Sequence, residues 1–457
     1  MTSSGVEKGP TGPAAVSPLE HTGPAFNLKA TVISVTLGTA LEYVDFALYG
    51  LATALVFQPL FFPDSSPAMA LIKGFAIYGI GFLARPVGAI FFGWLGDKIG
   101  RKMVLIITLM LMGLSTSAIG LLPTYATAGI IAPLLLMALR LCQGFGAGAE
   151  LSGGAIMLTE SAPMERRGLI ASLIAFGSNT GVLLASLTWV LITTFLPEET
   201  IVAWAWRIPF VCSIIVAIVA LYLRRKMAES PVFAEVQESA AHVKQELQAA
   251  GSEAPQGSGM RAFIALLGLR VAENAPSYLS STFIVGYVTS VLMMNRAIPA
   301  NAVLIGSVLG MGVAPLVGLC TDKFGRRPVY RTLCAMLMVF PFIGYALMDS
   351  KNPTIVFTVI VVGFVIASVG MFAGQAAFAA ELFGSRTRFR KMALGKEIGS
   401  LISGGVAPFI AAALLGLTGH WWIVATYFAV MASIGFVTTF FTPETRGRDL
   451  HDPNDAM

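Results

Sequence analysis

The sequence predicts an all-α membrane protein of twelve transmembrane helices, arranged as two pseudo-symmetric six-helix bundles. The first observation is composition, because 56% of the 457 residues are hydrophobic and only 12% are charged, whereas soluble domains carry about 25% charge. The second is a series of apolar runs of about 18 residues or more, each long enough to cross about 30 Å of hydrocarbon. These runs lack the polar and apolar alternation of β-barrel strands.

A charged turn that occurs twice is the third observation. Residues 93–102 read Gly-Trp-Leu-Gly-Asp-Lys-Ile-Gly-Arg-Lys, and residues 318–327 read Gly-Leu-Cys-Thr-Asp-Lys-Phe-Gly-Arg-Arg. Both fit the pattern Gly-x-x-x-Asp-Lys-x-Gly-Arg-(Lys/Arg), and each lies between two apolar runs. One copy could be an orientation signal alone, but two copies at equivalent places indicate a duplicated membrane bundle.

Taken in order, the chain divides into five parts. Pro, Gly, Ser and Thr predict a disordered cytoplasmic tail over residues 1–28, with no signal-peptide pattern. Six-helix bundles are predicted for 29–223 and 262–441, joined by a cytoplasmic linker at 224–261 and followed by a cytoplasmic tail at 442–457. The spans are expected at about 30–56, 70–95, 103–122, 130–158, 169–195, 206–223, 262–293, 302–321, 330–348, 354–379, 392–416 and 421–441.

The basic residues predict that both termini are cytoplasmic. With the N-terminus inside, the cytoplasmic segments hold 23 of the 30 Lys and Arg residues, as the positive-inside rule requires. These residues are spread over short loops, so a nucleic-acid partner is not expected. The four cysteines have neither metal-ligand nor disulfide spacing, and no Walker loop or catalytic constellation occurs. We therefore expect neither an enzyme, nor a cofactor or metal, nor ATP as the energy source.

Charged residues at the predicted cytoplasmic helix ends are candidates for a gate. Glu160 and Arg166 follow span 4, and Glu381 and Arg388 follow span 10. Such groups can lock two bundles together in one state and release them in another. The repeated turns supply the rest of the predicted gating set, which is Gly93, Asp97, Gly100, Arg101, Asp322 and Arg326. The acid of each turn can either cap a helix or accept from an arginine.

Several further stretches resemble one transporter family. They are Leu-Glu-Tyr-Val-Asp-Phe at 41–46, Ala-Arg-Pro-Val-Gly at 84–88, Arg-Leu-Cys-Gln-Gly-Phe-Gly-Ala-Gly-Ala-Glu at 140–150, Trp-Arg-Ile-Pro-Phe at 206–210 and Glu-Ser-Pro-Val-Phe at 229–233. With the doubled turn, they resemble the major facilitator superfamily over residues 28–445. The finer match is to the metabolite:proton symporters, which include shikimate, α-ketoglutarate, citrate and proline/betaine carriers. The resemblance implies a monomeric transporter and a proton-coupling role for Arg140.

Two acids in span 1 are candidate proton carriers. Glu42 and Asp45 are three residues apart and Tyr49 follows four later, so all three share one helical face. Two carboxylates this close in a low dielectric do not both ionise readily, which suits a proton carrier. The alternative is a structural pair that is hydrogen-bonded to neighbouring helices.

Arginines within the spans are candidate partners for an anionic substrate. Arg85 either contacts substrate or forms a salt bridge with a span-1 carboxylate. Arg140 and Gln143 face one way on span 4, and Gly144 and Gly148 form a close-packing step there. Glu150 either locks helices or contacts substrate.

Span 7 carries a polar stripe that is typical of a cavity lining. Arg270, Glu273, Asn274, Ser277 and Tyr278 recur at helical spacing, and such stripes face wet cavities. Arg270 and Glu273 could simply neutralise each other, which leaves the others for a polar ligand. The predicted substrate-binding set is Tyr49, Arg85, Gln143, Arg270, Asn274, Tyr278 and Gln375. By contrast, Lys396 and Glu397 are expected to act as gate or anchor residues.

The sequence therefore predicts a proton-coupled importer of a small organic acid in an inner or plasma membrane. Alternating access around a central cavity is the expected mechanism. Uptake of a zwitterion such as betaine is an alternative, because the interior acids Glu42, Asp45, Glu150 and Glu273 match the interior cations in number or exceed it. A proton-driven exporter of hydrophobic cations and a non-transporting sensor are further alternatives. Three interior arginines argue against the exporter, and short cytoplasmic extensions argue against the sensor.

Overall fold

The computed structural model describes residues 28–99, 101–148, 152–226, 259–385, 388–452 and 454–457. All of these residues fall within one compact unit. The predicted N-terminal tail and most of the predicted linker lie outside the described residues.

Twelve long helices run through the described part of the chain. The N-terminal half consists of α1 (Leu28–Leu55), α2 (Pro67–Ile99), α3 (Arg101–Ile119), α4 (Ile131–Ala147 and Ser152–Ser161), α5 (Arg167–Phe195) and α6 (Arg207–Lys226). The C-terminal half consists of α7 (Met260–Tyr278, Leu279–Phe283, Ile284–Gly286 and Tyr287–Val291), α8 (Ala297–Phe324), α9 (Arg326–Met348), α10 (Pro353–Gly363, Phe364–Gly370 and Met371–Glu381), α11 (Arg388–Gly399, Ser400–Gly404 and Val406–Thr418) and α12 (Trp421–Phe441). Short helical segments occur at Phe57–Phe61, Tyr125–Ala128, Met164–Arg166, Glu198–Thr200 and Ile201–Ala205.

The composition of the helices agrees with the predicted membrane class. Among the described residues, eight helices are long and apolar enough to cross a membrane. Large apolar side chains such as Ile90, Phe195 and Leu417 are exposed on the outside, where lipid would cover them. Charged side chains are instead found in the interior and at the two ends of the bundle.

π-helical turns interrupt three helices of the C-terminal half. They lie at Leu279–Phe283 and Tyr287–Val291 in α7, at Phe364–Gly370 in α10 and at Ser400–Gly404 in α11. Such turns shift the side-chain register and occur frequently at functional sites. The turn at Leu279–Phe283 directly follows Tyr278, and the turn at Ser400–Gly404 begins with Ser400. Tyr278 and Ser400 both belong to the site described below.

Glycines hold α2 and α4 in close contact. A Cβ atom on Gly144 would lie 1.8 Å from the carbonyl oxygen of Gly81, and one on Gly148 would lie 2.0 Å from that of Arg85. No side chain fits at those distances, so the structure confirms the predicted packing role of Gly144 and Gly148. This contact fixes the helices that carry Arg85 and Arg140.

Several helix pairs form the interface between the two halves. They include α5 with α8, α2 with α11, and α1 with α7, as well as α5 with α10. The polar residues of the candidate site lie on the second and third of these pairs, together with α4 and α10. The boundary between the two predicted six-helix bundles therefore passes through the site.

Candidate functional site

The second copy of the repeated motif forms the turn between α8 and α9, at what we call the motif end of the bundle. Gly325 adopts a φ of 99°, which only glycine reaches without strain. Asp322 accepts hydrogen bonds from the backbone N–H groups of Gly168 (2.7 Å) and Leu169 (2.8 Å) at the start of α5. A carboxylate of the C-terminal half therefore caps a helix of the N-terminal half.

Arg326 of the same motif is buried among acceptors. Its Nη1 donates to Asp322 Oδ1 at 2.7 Å, and its Nε and Nη2 donate to the two oxygens of Glu381 at 3.1 Å each. Thr445 Oγ1 also donates to Glu381, at 2.8 Å. Glu381 is therefore engaged inside its own half, by a bidentate pair of the kind that holds geometry firmly.

Glu160 and Arg388 link the two halves directly. Arg388 Nη1 donates to Glu160 Oε1 at 2.5 Å, while its other nitrogens donate to backbone carbonyl oxygens in the C-terminal half. The Glu160 side chain is 46% exposed. Arg166 is exposed as well, and its neighbour Arg167 makes the contact across the halves by donating to the Arg448 carbonyl (2.5 Å).

The first copy of the motif cannot be compared in the same way. Helix α2 runs to Ile99 and α3 begins at Arg101, but Gly100 lies outside the described residues. The surroundings of Gly93 and the side chains of Asp97 and Arg101 are likewise outside what the structure describes. Their gating role stays a prediction, as does any role of Glu150.

The predicted C-terminal tail packs against the motif end. Within the described residues 442–452 and 454–457, Glu444 accepts from the backbone N–H groups of Arg326 (2.8 Å) and Arg327 (3.0 Å). Asp455 accepts from the Lys391 ammonium at 2.7 Å. This segment therefore contacts the α8–α9 turn and the start of α11.

The opposite end of the bundle is also closed between the halves. Gln58 Nε2 donates to Ser290 Oγ at 2.7 Å, and Thr289 Oγ1 donates to the Ala54 carbonyl at 3.2 Å. With Glu160–Arg388 at the motif end, these contacts enclose the interior between two closed ends.

Glu42, Arg85 and Glu397 meet in that interior. Arg85 Nε lies 3.1 Å from Glu397 Oε2, and Arg85 Nη2 lies 3.6 Å from Glu42 Oε1. The side chains are 4% exposed for Arg85 and 2% for each acid. Arg85 therefore forms the salt bridge to a span-1 carboxylate that one of the two alternatives predicted. It also forms a second salt bridge, to Glu397 on α11. Asp45, one turn further along α1, is buried too.

Arg140 lies in an aromatic box. Its guanidinium carbon is 3.9 Å from the ring centre of Tyr49 and 5.0 Å from that of Tyr78. Nη1 donates to Gln143 Oε1 at 2.5 Å, and the Gln143 amide nitrogen donates to Thr116 at 2.7 Å. The oxygen and the nitrogen of the Gln143 amide therefore both form hydrogen bonds, and together they hold Arg140 in position.

The polar stripe of α7 forms a connected group. Arg270 Nη1 lies 2.6 Å from Glu273 Oε2 and donates to Gln375 Oε1 at 2.9 Å. Its Nη2 donates to Asn274 Oδ1 (3.3 Å) and Ser400 Oγ (3.2 Å). Arg270 and Glu273 therefore do neutralise each other, and Gln375, which stands alone in the sequence, is tied to them.

Tyr278 extends this stripe across the interface between the halves. Its ring packs edge-on against Phe82 at 5.5 Å and against Tyr78 at 6.0 Å between centres. It thus joins the α7 group to the aromatic box around Arg140. Ser277 hydrogen-bonds Ser368 at 2.8 Å instead.

Among the described residues, eight buried charged side chains lie away from the motif end, and we call them the central charge cluster. Its members are Glu42, Asp45, Arg85, Arg140, Arg270, Glu273, Lys396 and Glu397. Four are acids and four are bases, and they come from both halves of the chain. Lys396 interacts electrostatically with Glu42, Glu397, Arg85 and Arg270.

Sequence reasoning placed Lys396 and Glu397 at a gate or anchor, whereas the structure buries both in this cluster. Helix α11 starts at Arg388, four residues earlier than predicted, so Glu397 lies more than two turns inside the helix. A helical repeat of Lys396, Ser400 and Ser403 is the signal that could have located them. In the described part of the chain, no group of three or more His, Cys, Asp or Glu residues could hold a metal ion.

A helical bundle with apolar outer faces, two closed ends and an enclosed charge cluster is typical of a polytopic membrane transporter. The chain matches the family described as sugar (and other) transporter over residues 31–456. It therefore belongs to that family, within the major facilitator superfamily. It is a multi-pass membrane protein that transports metabolites, and it is not an enzyme.

Individual relatives agree with this assignment. The chain is 42% identical to the putative transporter YdfJ of Escherichia coli K12, over 90% of this chain and 96% of that protein. It is 35% identical to the shikimate transporter of the same organism (90% and 93%) and 33% identical to the proline/betaine transporter of Salmonella typhimurium (94% and 86%). The resemblance to metabolite:proton symporters is thereby confirmed.

Solved structures confirm the fold. The crystal structure of a D-xylose-proton symporter superimposes with a TM-score of 0.70, covering 93% of this chain and 100% of that chain. The two sequences are only 18% identical, so this likeness concerns the all-helical fold and not the substrate.

Proposed function

We propose that this transporter is a proton-coupled symporter that imports a small organic acid by alternating access. The substrate would be a shikimate-like acid, an aromatic acid or a di- or tricarboxylate, taken up across the bacterial inner membrane. The observation that carries the proposal is the central charge cluster, because its buried charges come from both halves and, among the described residues, comprise four acids and four bases.

Charge balance gives a physical reason for coupling. A carboxylate that enters a balanced, buried cluster leaves one negative charge uncompensated, and unpaired charge in a low dielectric is costly. One proton on a cluster carboxylate removes that charge. The same proton offsets the cost of moving an anion against a negative inside potential, about 2.3 kcal/mol per charge per 100 mV.

The roles of individual residues follow from their contacts. Glu42 and Asp45 are the proposed proton carriers, with Arg140 as the cation that couples them. Arg85 is the proposed first contact for the substrate carboxylate, since its buried Nε and Nη2 donate no hydrogen bond. Asn274 and Tyr278 contact the rest of the substrate. The remaining predicted contacts, Tyr49, Gln143, Arg270 and Gln375, position these groups.

Alternating access is supported by the location of the cluster. It lies between the two proposed six-helix bundles, residues 29–223 and 262–441, and inside two closed ends. Opening either end alone would expose it to one side of the membrane. The bias of basic residues supports a cytoplasmic motif end and cytoplasmic termini.

Uptake of a zwitterion is the second candidate. A betaine or proline molecule carries no net charge, so it enters a balanced cluster without a proton being required for neutrality. The similarity to the proline/betaine transporter at 33% identity is close to the similarity to the shikimate transporter at 35%. The identity values alone therefore do not choose between the two substrates.

The test is uptake by purified protein in liposomes with an imposed inward proton gradient. Labelled shikimate, protocatechuate, α-ketoglutarate, citrate and glycine betaine are offered separately. The variants are Glu42→Gln, Asp45→Asn and Arg85→Ala. Arg331→Ala is the matched control, because Arg331 hydrogen-bonds Thr439 and packs over the Phe440 ring on α12, away from the cluster.

We expect one acid to accumulate in wild type and in Arg331→Ala, and to stop accumulating when a protonophore is added. Arg85→Ala should lose binding of that acid, and the two carboxylate variants should lose accumulation. Accumulation of betaine without any acid would select the second candidate. If Glu42→Gln and Asp45→Asn both still accumulate the acid, a residue other than Glu42 and Asp45 carries the proton.

A further inference from the structure

Helices α2 and α11 are antiparallel where they pack together, and this contact joins the two halves. A Cβ atom on Gly79 would lie 2.9 Å from the Gly405 carbonyl, and one on Gly405 would lie 2.1 Å from the Phe82 ring. One turn after Phe82, Arg85 meets Glu397 at 3.1 Å. The apolar part of this contact is held by shape. In its charged part, the Arg85–Glu397 ion pair lies beside the attraction of Lys396 on α11 to Glu42 on α1.

Arg85 has two carboxylates to choose between, and they belong to different halves. Glu397 belongs to the C-terminal half, while Glu42, at 3.6 Å, belongs to the same half as Arg85. The faces of the guanidinium lie against Phe46 (5.1 Å) and Phe82 (5.3 Å). Neither side-chain oxygen of Glu397 accepts a hydrogen bond, so charge and not directional bonding holds the pair.

Other charged and titratable groups face Glu397 from each neighbouring helix. Lys396 precedes it on α11, and Glu42 approaches from α1. The α7 groups are Arg270 and Glu273, which already pair with each other at 2.6 Å. The phenols nearest to Arg85 are those of Tyr43 on α1 and Tyr278 on α7.

We propose that Glu397 is a proton-operated clasp between the two halves. This inference rests on the proposed proton-coupled function and adds a residue to it. When Glu397 takes up a proton from the aqueous side, its attraction to Arg85 is lost. Arg85 then pairs with Glu42 alone, inside its own half, and the α2–α11 interface is free to part. Loss of the proton restores the pair and closes the interface.

Glu42 is attracted to Lys396 of α11, but its pair with Arg85 lies within the N-terminal half. Protonation of Glu42 therefore leaves the Arg85–Glu397 pair between the halves in place. Glu42→Gln is therefore the matched control for Glu397→Gln. Both changes remove one carboxylate from Arg85 and keep the side chain nearly the same size.

The direct test is a distance measurement between spin labels in purified protein, without any substrate. One label pair replaces Glu165 and Lys323 at the motif end, and a second replaces Asp64 and Asp349 at the opposite end, in a variant without its four cysteines. Distances are recorded at about pH 8 and about pH 5.

In wild type, we expect the separated population at one end to rise more than about tenfold between the two pH values, because a buried ion pair is lost. Glu397→Gln should show the separated population at both pH values, and Glu397→Asp should restore the pH response. Glu42→Gln should keep the wild-type response. A wild-type distribution that does not change with pH, or a Glu397→Gln variant that responds as wild type does, would overturn the proposal.

Transport assays separate this inference from the proposed function. Glu397→Gln is expected to retain exchange of labelled substrate at equal pH while losing accumulation driven by a proton gradient. If wild type accumulates no substrate but the labels respond as expected, the proposed substrate class is wrong and the clasp stands. If Glu397→Gln still accumulates substrate to the wild-type level, the clasp is refuted and the symport remains.

Discussion

Two buried arginines, Arg326 and Arg85, show how one residue type can serve opposite purposes. Arg326 donates four hydrogen bonds to Thr321, Asp322 and Glu381, all within its own half. Arg85 lies between carboxylates of both halves, and neither its Nε nor its Nη2 donates a hydrogen bond. The hydrogen bonds of Arg326 favour a single geometry. Arg85 can exchange one carboxylate for another without breaking a directional hydrogen bond, which suits an interface that moves.

The largest expected effect comes from breaking the fixed arrangement. Arg326→Ala leaves Glu381 and Asp322 buried without their cation, and removal of one partner from a buried ion pair typically costs about 3–5 kcal/mol. We expect a marked fall in the thermal unfolding temperature in detergent. Arg327→Ala is the control, because only the backbone N–H of Arg327 bonds to Glu444. Equal unfolding temperatures for the two variants would contradict the comparison.

A second prediction concerns the frame that places Arg85 beside its partners. In Gly144→Ala the new methyl group would lie 1.8 Å from the Gly81 carbonyl, so α2 and α4 must separate. Overpacking of this kind costs about 1–3 kcal/mol. We expect a lower unfolding temperature together with reduced uptake.

Gly312→Ala is the matched control for that variant, since a Cβ atom there meets nothing within 4 Å. It should unfold at or slightly above the wild-type temperature, because alanine favours the helix. A Gly144→Ala protein as stable as Gly312→Ala would show that the two helices are not in the close contact described.

The repeated motif shows what the sequence can predict and what it cannot. Its occurrence in two copies predicted a duplicated bundle. Gly325, the second glycine of the second copy, forms the tight turn between α8 and α9. That Asp322 caps α5 in the other half could not be predicted, because the pattern contains no information about which helices pack together. The sequence allowed capping or pairing with arginine, and Asp322 does both.

Glu397 shows a different limit. The charges between Arg388 and Lys396 suggested a membrane surface, so the start of the helix was placed too late and the acid was assigned to its end. In contrast, Arg270 and Glu273 were correctly recognised as a possible pair, because a spacing of three residues fixes their contact within one helix. Contacts within a helix could be predicted. Between helices, the sequence offered the pair of Arg85 with a span-1 carboxylate as one alternative, but not its second partner on α11.

The smallest expected effect concerns the contact between Glu160 and Arg388 at the motif end. Glu160 is 46% exposed, so its ion pair contributes only about 0.2–1 kcal/mol. Glu160→Gln should therefore leave the unfolding temperature unchanged but raise the fraction of molecules open at this end about two- to fivefold. The labelling rate of a cysteine that replaces Ser172, which is buried between α5 and α8, measures that fraction in a variant without the native cysteines. Glu165→Gln, an exposed neighbour, is the control. An unchanged labelling rate in Glu160→Gln would mean that other contacts, such as the Asp322 cap on α5 and the bond from Arg167 to the Arg448 carbonyl, keep this end closed. The surface ion pair would then follow the closure without stabilising it.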